Sequence, residues 1–211
     1  MIVDCISDLH GYEPDLPGGD LLIVAGDLCD EVEKKYVFEW WLSKQDYKKR
    51  IVIAGNHDRW ASSSPLRLDE RSEYLCDSGT EFGGLKIWGS PWSPWFKSIS
   101  PVCMEFVKID HALKKRWDLI PKDIDILITH CAPYGILDEA GLPRADKHHV
   151  GSKSLMKRVL QVKPKYHVFG HIHECNGLFK KNGTLFVNCS HVNEWGIPDN
   201  EEIGIEIHGY L

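Results

Sequence analysis

Six short β-branched runs punctuate this chain, and five of them break off at an Asp, Asn or His. The runs are "IVDCI" at 2–6, "LLIVA" at 21–25, "IVIA" at 51–54, "LKIW" at 85–88, "IDILI" at 124–128 and "YHVF" at 166–169. Brief apolar runs rich in Val and Ile read as strands buried on both faces. Longer helical patterns lie between them: "EVEKKYVFEWWLSKQ" at 31–45, "CMEFVKIDHALKKRW" at 103–117 and "SKSLMKRVLQV" at 152–162. Strand and helix alternating in this way predict an α/β sheet covered on both faces. The tail is more purely β. Asn182-Gly183 inside "GLFKKNGTLFVN" predicts a two-residue hairpin, and "IGIEIHG" comes after it. A length of 211 residues predicts one domain over 1–211, and no internal repeat, low-complexity tract or linker interrupts it. The most irregular part, "WGSPWSPWFKSISPVC" at 88–103, reads as a long ordered loop.

The residues just past each strand carry chemistry. After the first comes Asp8-Leu9-His10, after the second Asp27, and after the third Asn56, His57 and Asp58. After "IDILIT" comes His130, and after "YHVFG" come His171 and His173. Strands of an open α/β sheet place their C-terminal ends along one edge, where ligands bind in the crevice. The five fragments therefore converge. Buried, unpaired Asp and His gathered at one edge would be costly, so packing alone explains them poorly. Two carboxylates, one amide oxygen and four imidazoles supply enough donors for two divalent ions sharing Asp27. Oxygen and nitrogen donors without thiolates suit Mn, Fe, Zn or Mg rather than a closed structural zinc site. Glycines before Asp27, Asn56 and His171 permit sharp turns and close backbone approach.

Composition narrows the partners. The net charge of −6, from 25 basic and 31 acidic residues, argues against extended nucleic-acid binding, which needs a basic face. It leaves a phosphate substrate open, because bound metal ions reverse the local sign. No apolar run approaches the roughly 20 residues of a membrane span, and "MIVDCISDLHG" lacks the basic leader of a signal peptide. Seven scattered cysteines fit a reduced, cytoplasmic setting better than a disulfide framework. Each reads as a small buried hydrophobe, with Cys131 and Cys175 notable for lying near histidines. Oligomeric state is left open.

The blocks "DLH", "GD", "GNHD", a lone His and "GHIH" occur in order from residue 8 to 173. As a set they resemble the calcineurin-like metallophosphoesterase superfamily. "PGGDLLIVAGDL", "IVIAGNHD", "WGSPWSPWF" and "HVFGHIHE" look closer still to its metallophosphoesterase-domain-containing branch, and this likeness covers essentially the whole chain. The resemblance implies a four-layered α/β/β/α sandwich. It implies one metal on Asp8, His10, Asp27 and His173 and a second on Asp27, Asn56, His130 and His171. It makes His57 a catalytic imidazole rather than a ligand, with Asp58 orienting it. "GDLCDE" lacks the longer pattern of protein Ser/Thr phosphatases, and "THCAP" departs from the commoner step after the lone His. No ligand position is substituted.

The expected reaction is hydrolysis of a small phosphodiester, nucleotides and cyclic nucleotides among the candidates, by a hydroxide bridging two divalent ions, Mn favoured. A phosphomonoesterase and a non-catalytic binding module that keeps the metal site are the alternatives. Arg59 is a candidate substrate contact or a surface ion-pairing residue. Arg144, Lys147, His148 and His149 could line the pocket mouth or stay solvated. Trp92, Trp95 and Phe96 could stack a base or pack a loop. Asn188 and His191 could support the ligands from behind. His111, His167 and His208 read as ordinary histidines.

Overall fold

The computed structural model describes residues 1–95, 104–141 and 148–209. Phe96, Arg144 and Lys147 lie outside the described residues, as do 97–103 of the predicted loop.

Two sheets form. The first contains β1 (Ile2–Ile6), β2 (Gly19–Ala25), β3 (Tyr47–Ile53) and β4 (Ser72–Tyr74). The second contains β5 (Ser78–Phe82), β6 (Leu85–Ser90), β7 (Ile126–Thr129), β8 (Tyr166–Phe169), β9 (Gly177–Lys181) and β10 (Thr184–Asn188). The last strand, β11 (Ile203–Glu206), returns to the first sheet. The orders are β11-β1-β2-β3-β4 and β9-β10-β8-β7-β6-β5. β1 to β4 run parallel, as do β6, β7, β8 and β10, while β11, β9 and β5 close their edges antiparallel. β9 and β10 meet at Asn182-Gly183, the hairpin expected from the sequence.

The side-chain period of two sorts each strand between two cores. Val3, Cys5, Leu21, Ile23, Ile51 and Ile53 face Ile87, Ile126, Ile128, Val168 and Val187 of the second sheet, so the sheets pack face to face. The opposite face of the first sheet, with Leu22, Val24 and Val52, packs under Phe38, Trp41 and Leu42 of α1 (Lys35–Lys44). The opposite face of the second, with Leu127, Phe169 and Phe186, packs under α2 (Asp110–Trp117) and α3 (Lys153–Val162). Helix, sheet, sheet and helix make the four-layered α/β/β/α sandwich. Burying one such side chain contributes about 1.5–3 kcal/mol, so strands of this composition hold both neighbouring layers at once.

Two helix boundaries differ from the sequence pattern. The 31–45 pattern splits into a 3-10 turn, Val32–Lys34, and α1. The 103–117 pattern yields helix only from Asp110. Upstream, the backbone is taken by Ser93–Trp95: Ser93 donates to the Phe106 carbonyl and Trp95 to that of Lys108. Those bonds hold Val107–Lys108 extended, and tertiary pairing overrides helical periodicity. α3 matches its pattern, with the Ser152 hydroxyl accepting from the Leu155 N–H as N-cap. The single edge expected to gather the ligands is also corrected. The strands that deliver them belong to two sheets whose C-terminal ends meet.

Candidate metal centre

The loops after the strands are laced to one another. Asp8 N–H donates to Gly26, His10 N–H to Asp27 and Gly170 N–H to His130, while Ser7 N–H reaches Cys189 across the two sheets. Asp8, His10, Asp27 and His171 all sit at positive φ, between 46° and 72°. This left-handed region is disfavoured for side chains other than glycine. Strain concentrated in four residues of one cluster is the mark of a site whose surroundings over-determine it.

Close approach requires glycine at two positions. A Cβ on Gly55 would fall 2.2 Å from Asp27 Oδ1, and one on Gly170 would fall 2.0 Å from Ser7 Oγ and 2.2 Å from Asp8 Oδ2.

Three groups of ligating atoms result, each with its atoms within 4.8 Å of one another: Asp8, His10 and His173; His10, Asp27 and His57; Asp27, His130 and His171. Asp27 belongs to two of them. Its Oδ2 lies 3.2 Å from His130 Nε2 and 4.0 Å from His10 Nε2. Asn56 Oδ1 lies 3.0 Å from His130 Nε2, and His173 Nε2 lies 3.3 Å from Asp8 Oδ1. The outer ring nitrogens are tied to the frame. His130 Nδ1 meets the Ala25 carbonyl at 3.0 Å and His173 Nδ1 meets that of Asn193 at 3.1 Å, which turns both Nε2 atoms inward.

This set fits divalent cations. His10 Nε2 is buried and makes no hydrogen bond, an orphan that a metal would satisfy. Asp8 and Asp27 are fully buried. Burial opposes the ionisation of Asp8, but the hydrogen bond from His173 and the charges of His173, His130 and His10 outweigh it. The carboxyl is held well below its ordinary range. Burial likewise opposes ionisation of Asp27, and His130 reverses the effect. His130 answers in kind: burial favours its neutral form, yet Asp27 raises it to about 9. Burial, followed by the charge of His130, pushes His171 down to about 3.

His57 and Asp58 require a correction. Asp58 does not orient the imidazole. Its buried carboxylate accepts N–H groups from Leu28, Cys29 and Gly55, so it ties the loop after β3 to the loop after β2. Burial and then Asp27 raise Asp58 to about 7. The carboxylate at His57 is Asp30, whose Oδ1 lies 3.0 Å from His57 Nδ1 and 2.8 Å from His10 Nδ1. Burial opposes its ionisation, but these two imidazoles hold it well below the usual range. Burial would favour a neutral His57, and Asp30 with Asp27 outweighs it and raises the imidazole. Sequence reasoning missed Asp30. Its one signal there is its place three residues after Asp27 in "GDLCD".

A cavity of about 470 Å³ opens over this cluster, lined by His10, Gly11, Tyr12, Asp30, Lys34, His57, His173, Glu194 and Gly196. Arg59 is exposed and not among the lining residues. His148 and His149 are exposed too, and neither lines it. His149 Nδ1 is bound at 2.7 Å by the buried carboxylate of Asp138. Trp92 is committed to packing, with Nε1 on Asp77 and the Arg116 guanidinium 4.4 Å over its ring. Trp95 is exposed and also absent from the cavity wall. The aromatic on the cavity wall, besides its histidines, is instead Tyr12. Asn188 donates to the Ile172 carbonyl between the two histidines of "HIH", a supporting contact. His191 Nδ1 meets the Asn200 carbonyl. Among the described residues, the six cysteines form no disulfide. Cys131 and Cys175 are two of these, and neither belongs to a group of ligating atoms.

Residues 1–175 match the family described as calcineurin-like phosphoesterase. Metallophosphoesterase domain-containing protein 1 of Homo sapiens is 35% identical, with 96% of this chain and 70% of that protein covered. A UPF0046 protein of Caenorhabditis elegans is 34% identical over 89% of this chain and 75% of its own. Among solved structures, the phosphopantetheinyl hydrolase of Mycobacterium tuberculosis superposes with a TM-score of 0.52 at 17% identity, covering 92% of this chain and 90% of that one, a likeness of fold.

Proposed function

Because the chain belongs to the calcineurin-like phosphoesterase family and is thereby a metal-dependent phosphoesterase, we propose that it hydrolyses a small phosphodiester at a dinuclear centre. The observation that carries this reading is the double membership of Asp27, whose carboxylate stands between the His10 side and the His130 side. One ion would rest on Asp8, His10, Asp27 and His173, the other on Asp27, Asn56, His130 and His171. Mn is the favoured occupant, with Fe, Zn and Mg compatible with the same donors. Two such ions, when bound, supply an activated water at neutral pH and neutralise charge on the phosphoryl oxygens.

The protein's own groups do the rest. His57, raised by Asp30, keeps a proton available near neutrality. With Nδ1 committed to Asp30, it would deliver that proton to the leaving oxygen from Nε2. Asp30 fixes the tautomer and ring orientation, as carboxylates do behind other catalytic imidazoles. Tyr12 offers apolar surface for the organic part of a small substrate, nucleotides and cyclic nucleotides included. An extended nucleic acid is disfavoured by the net charge of −6. Among the described residues no helix is long and apolar enough to cross a membrane. The scattered cysteines of the sequence, without the spacing of a disulfide framework, support placement in a reducing compartment such as the cytoplasm.

The test is to strip the protein with chelator and restore Mn, Mg, Zn or Fe(II) singly. Hydrolysis of bis-p-nitrophenyl phosphate is then measured beside p-nitrophenyl phosphate. Metal-dependent turnover of the diester above the monoester is expected. Preference for the monoester would make the protein a phosphatase. Failure of both esters with metal bound would favour a binding module.

A further inference from the structure

A phosphodiester carries one negative charge and a monoester two above pH of about 6. A site that accepts the monoester needs a cation for the second charge, placed beside the metals and not already neutralised. Among the described residues lining the cavity there is one Lys or Arg, and it is Lys34.

Its placement is built. Lys34 closes the 3-10 turn Val32–Lys34 just before α1, and its stem lies across Gly11. A Cβ at residue 11 would fall 3.0 Å from Lys34 Cδ and 3.5 Å from Nζ. Gly11 also has φ of 86°, so the turn after His10 and the seat of the lysine require the same glycine. The ammonium is thereby held beside the residue next to a candidate metal ligand. Carboxylates are close in sequence at Asp30, Glu31 and Glu33, and Glu194 shares the cavity wall. Among the described residues, none of them forms an ion pair with Lys34, whereas Asp30 is spent on His10 and His57. The other candidate cations are placed otherwise: Arg59 is absent from the wall, His149 is held by Asp138, and His57, on the wall, has its Nδ1 committed to Asp30.

We propose that Lys34 is the specificity residue of this cavity: its ammonium holds the second negative charge of a phosphomonoester and so sets how well monoester is accepted relative to diester. The proposal rests on the phosphoesterase reading above and assigns the monoester-versus-diester balance to one side chain. Lys34 acts in binding rather than in proton transfer, so its signature is KM.

The experiment compares wild type, Lys34→Met and Lys34→Arg, all loaded with Mn at pH 8. Kinetics are measured on p-nitrophenyl phosphate and bis-p-nitrophenyl phosphate. Calorimetry measures the binding of inorganic phosphate and of dimethyl phosphate. In Lys34→Met, KM for the monoester and Kd for inorganic phosphate should rise about tenfold, the scale of one charge-assisted contact. The diester and dimethyl phosphate should move no more than about threefold, and kcat for the monoester should change less than its KM. Lys34→Arg should restore most of the loss. Rising salt should weaken phosphate binding more in wild type than in Lys34→Met. Equal losses for monoanion and dianion, or an unchanged phosphate Kd, would overturn the proposal. If neither ester turns over, the phosphoesterase reading fails, while the phosphate and dimethyl phosphate ratio still decides Lys34.

Discussion

Asp30 stands between two imidazoles, and its position divides orientation from ligation. One oxygen serves both His10 Nδ1 and His57 Nδ1, so the carboxylate aims one candidate ligand and one candidate acid together. Asn at this position keeps the size but loses the charge that raises His57. Asp30→Asn should therefore lower kcat about 100-fold while leaving the metal content close to wild type, as read by steady-state kinetics beside elemental analysis. Loss of metal with the activity would instead mark Asp30 as part of the ligand frame. Asp58, adjacent to His57 in sequence, lies in a different environment. Three backbone N–H groups claim its carboxylate and none of them belongs to His57. The family resemblance implied that Asp58 orients His57; the direction of one side chain decided otherwise.

At the scale of elements, five of the parallel strands, β1, β2, β3, β7 and β8, end in a tight turn that projects a candidate ligand, and two of these turns are crowded enough to need glycine. Gly55 lies just past β3 with Asp27 Oδ1 2.2 Å from where a Cβ would stand, and His130 Cε1 is 2.7 Å from the same point. Gly55→Ala should leave the strand, since Ala54 and Ile53 pack as before, but displace the carboxylate that both proposed ions share. We expect a folded protein by circular dichroism with metal affinity reduced at least about 100-fold by equilibrium dialysis. A wild-type affinity would mean that the loops after β2 and β3 relax freely, contrary to the lacing between them. The strands were legible because their apolar runs are buried on both faces, which ordinary composition signals. The start of α2 was not, because hydrogen bonds from Ser93 and Trp95 to the Phe106 and Lys108 carbonyls outbid a helical periodicity, and nothing local records those partners.

For the whole molecule, the cluster joins two sheets. Asp8, Asp27 and Asn56 come from the first, His130, His171 and His173 from the second, so a bound cation would clamp the sandwich at one end. Ions that bind only the folded chain should stabilise it by about 2.7 kcal/mol at a concentration of 100 Kd. Mn should raise the melting temperature by several degrees and chelator should reverse the rise, with Asp27→Ala abolishing it. His130 gives the sign of the pH dependence. Its pKa of about 9 in the metal-free fold means that binding must displace a proton below that pH. The Mn-induced shift in melting temperature should therefore grow as pH rises from 6 towards 9, and a shift that shrinks over that range would contradict this protonation state. The sequence by itself determined the central strands, the hairpin and the α/β class and supplied the candidate donors, because periodicity and residue chemistry are local properties; the short β4 and β5 carried no such signal. Only the tertiary structure decided that the donors come from two sheets, that Asp30 rather than Asp58 meets His57, and that Lys34 is the one Lys or Arg among the described residues of the cavity wall. Each of these depends on side chains that meet from different parts of the chain: the two-sheet donor set is fixed by packing the sheets face to face, and the places of Asp30 and Lys34 by how the loops after β1, β2 and β3 lie side by side, not by any pattern along the chain.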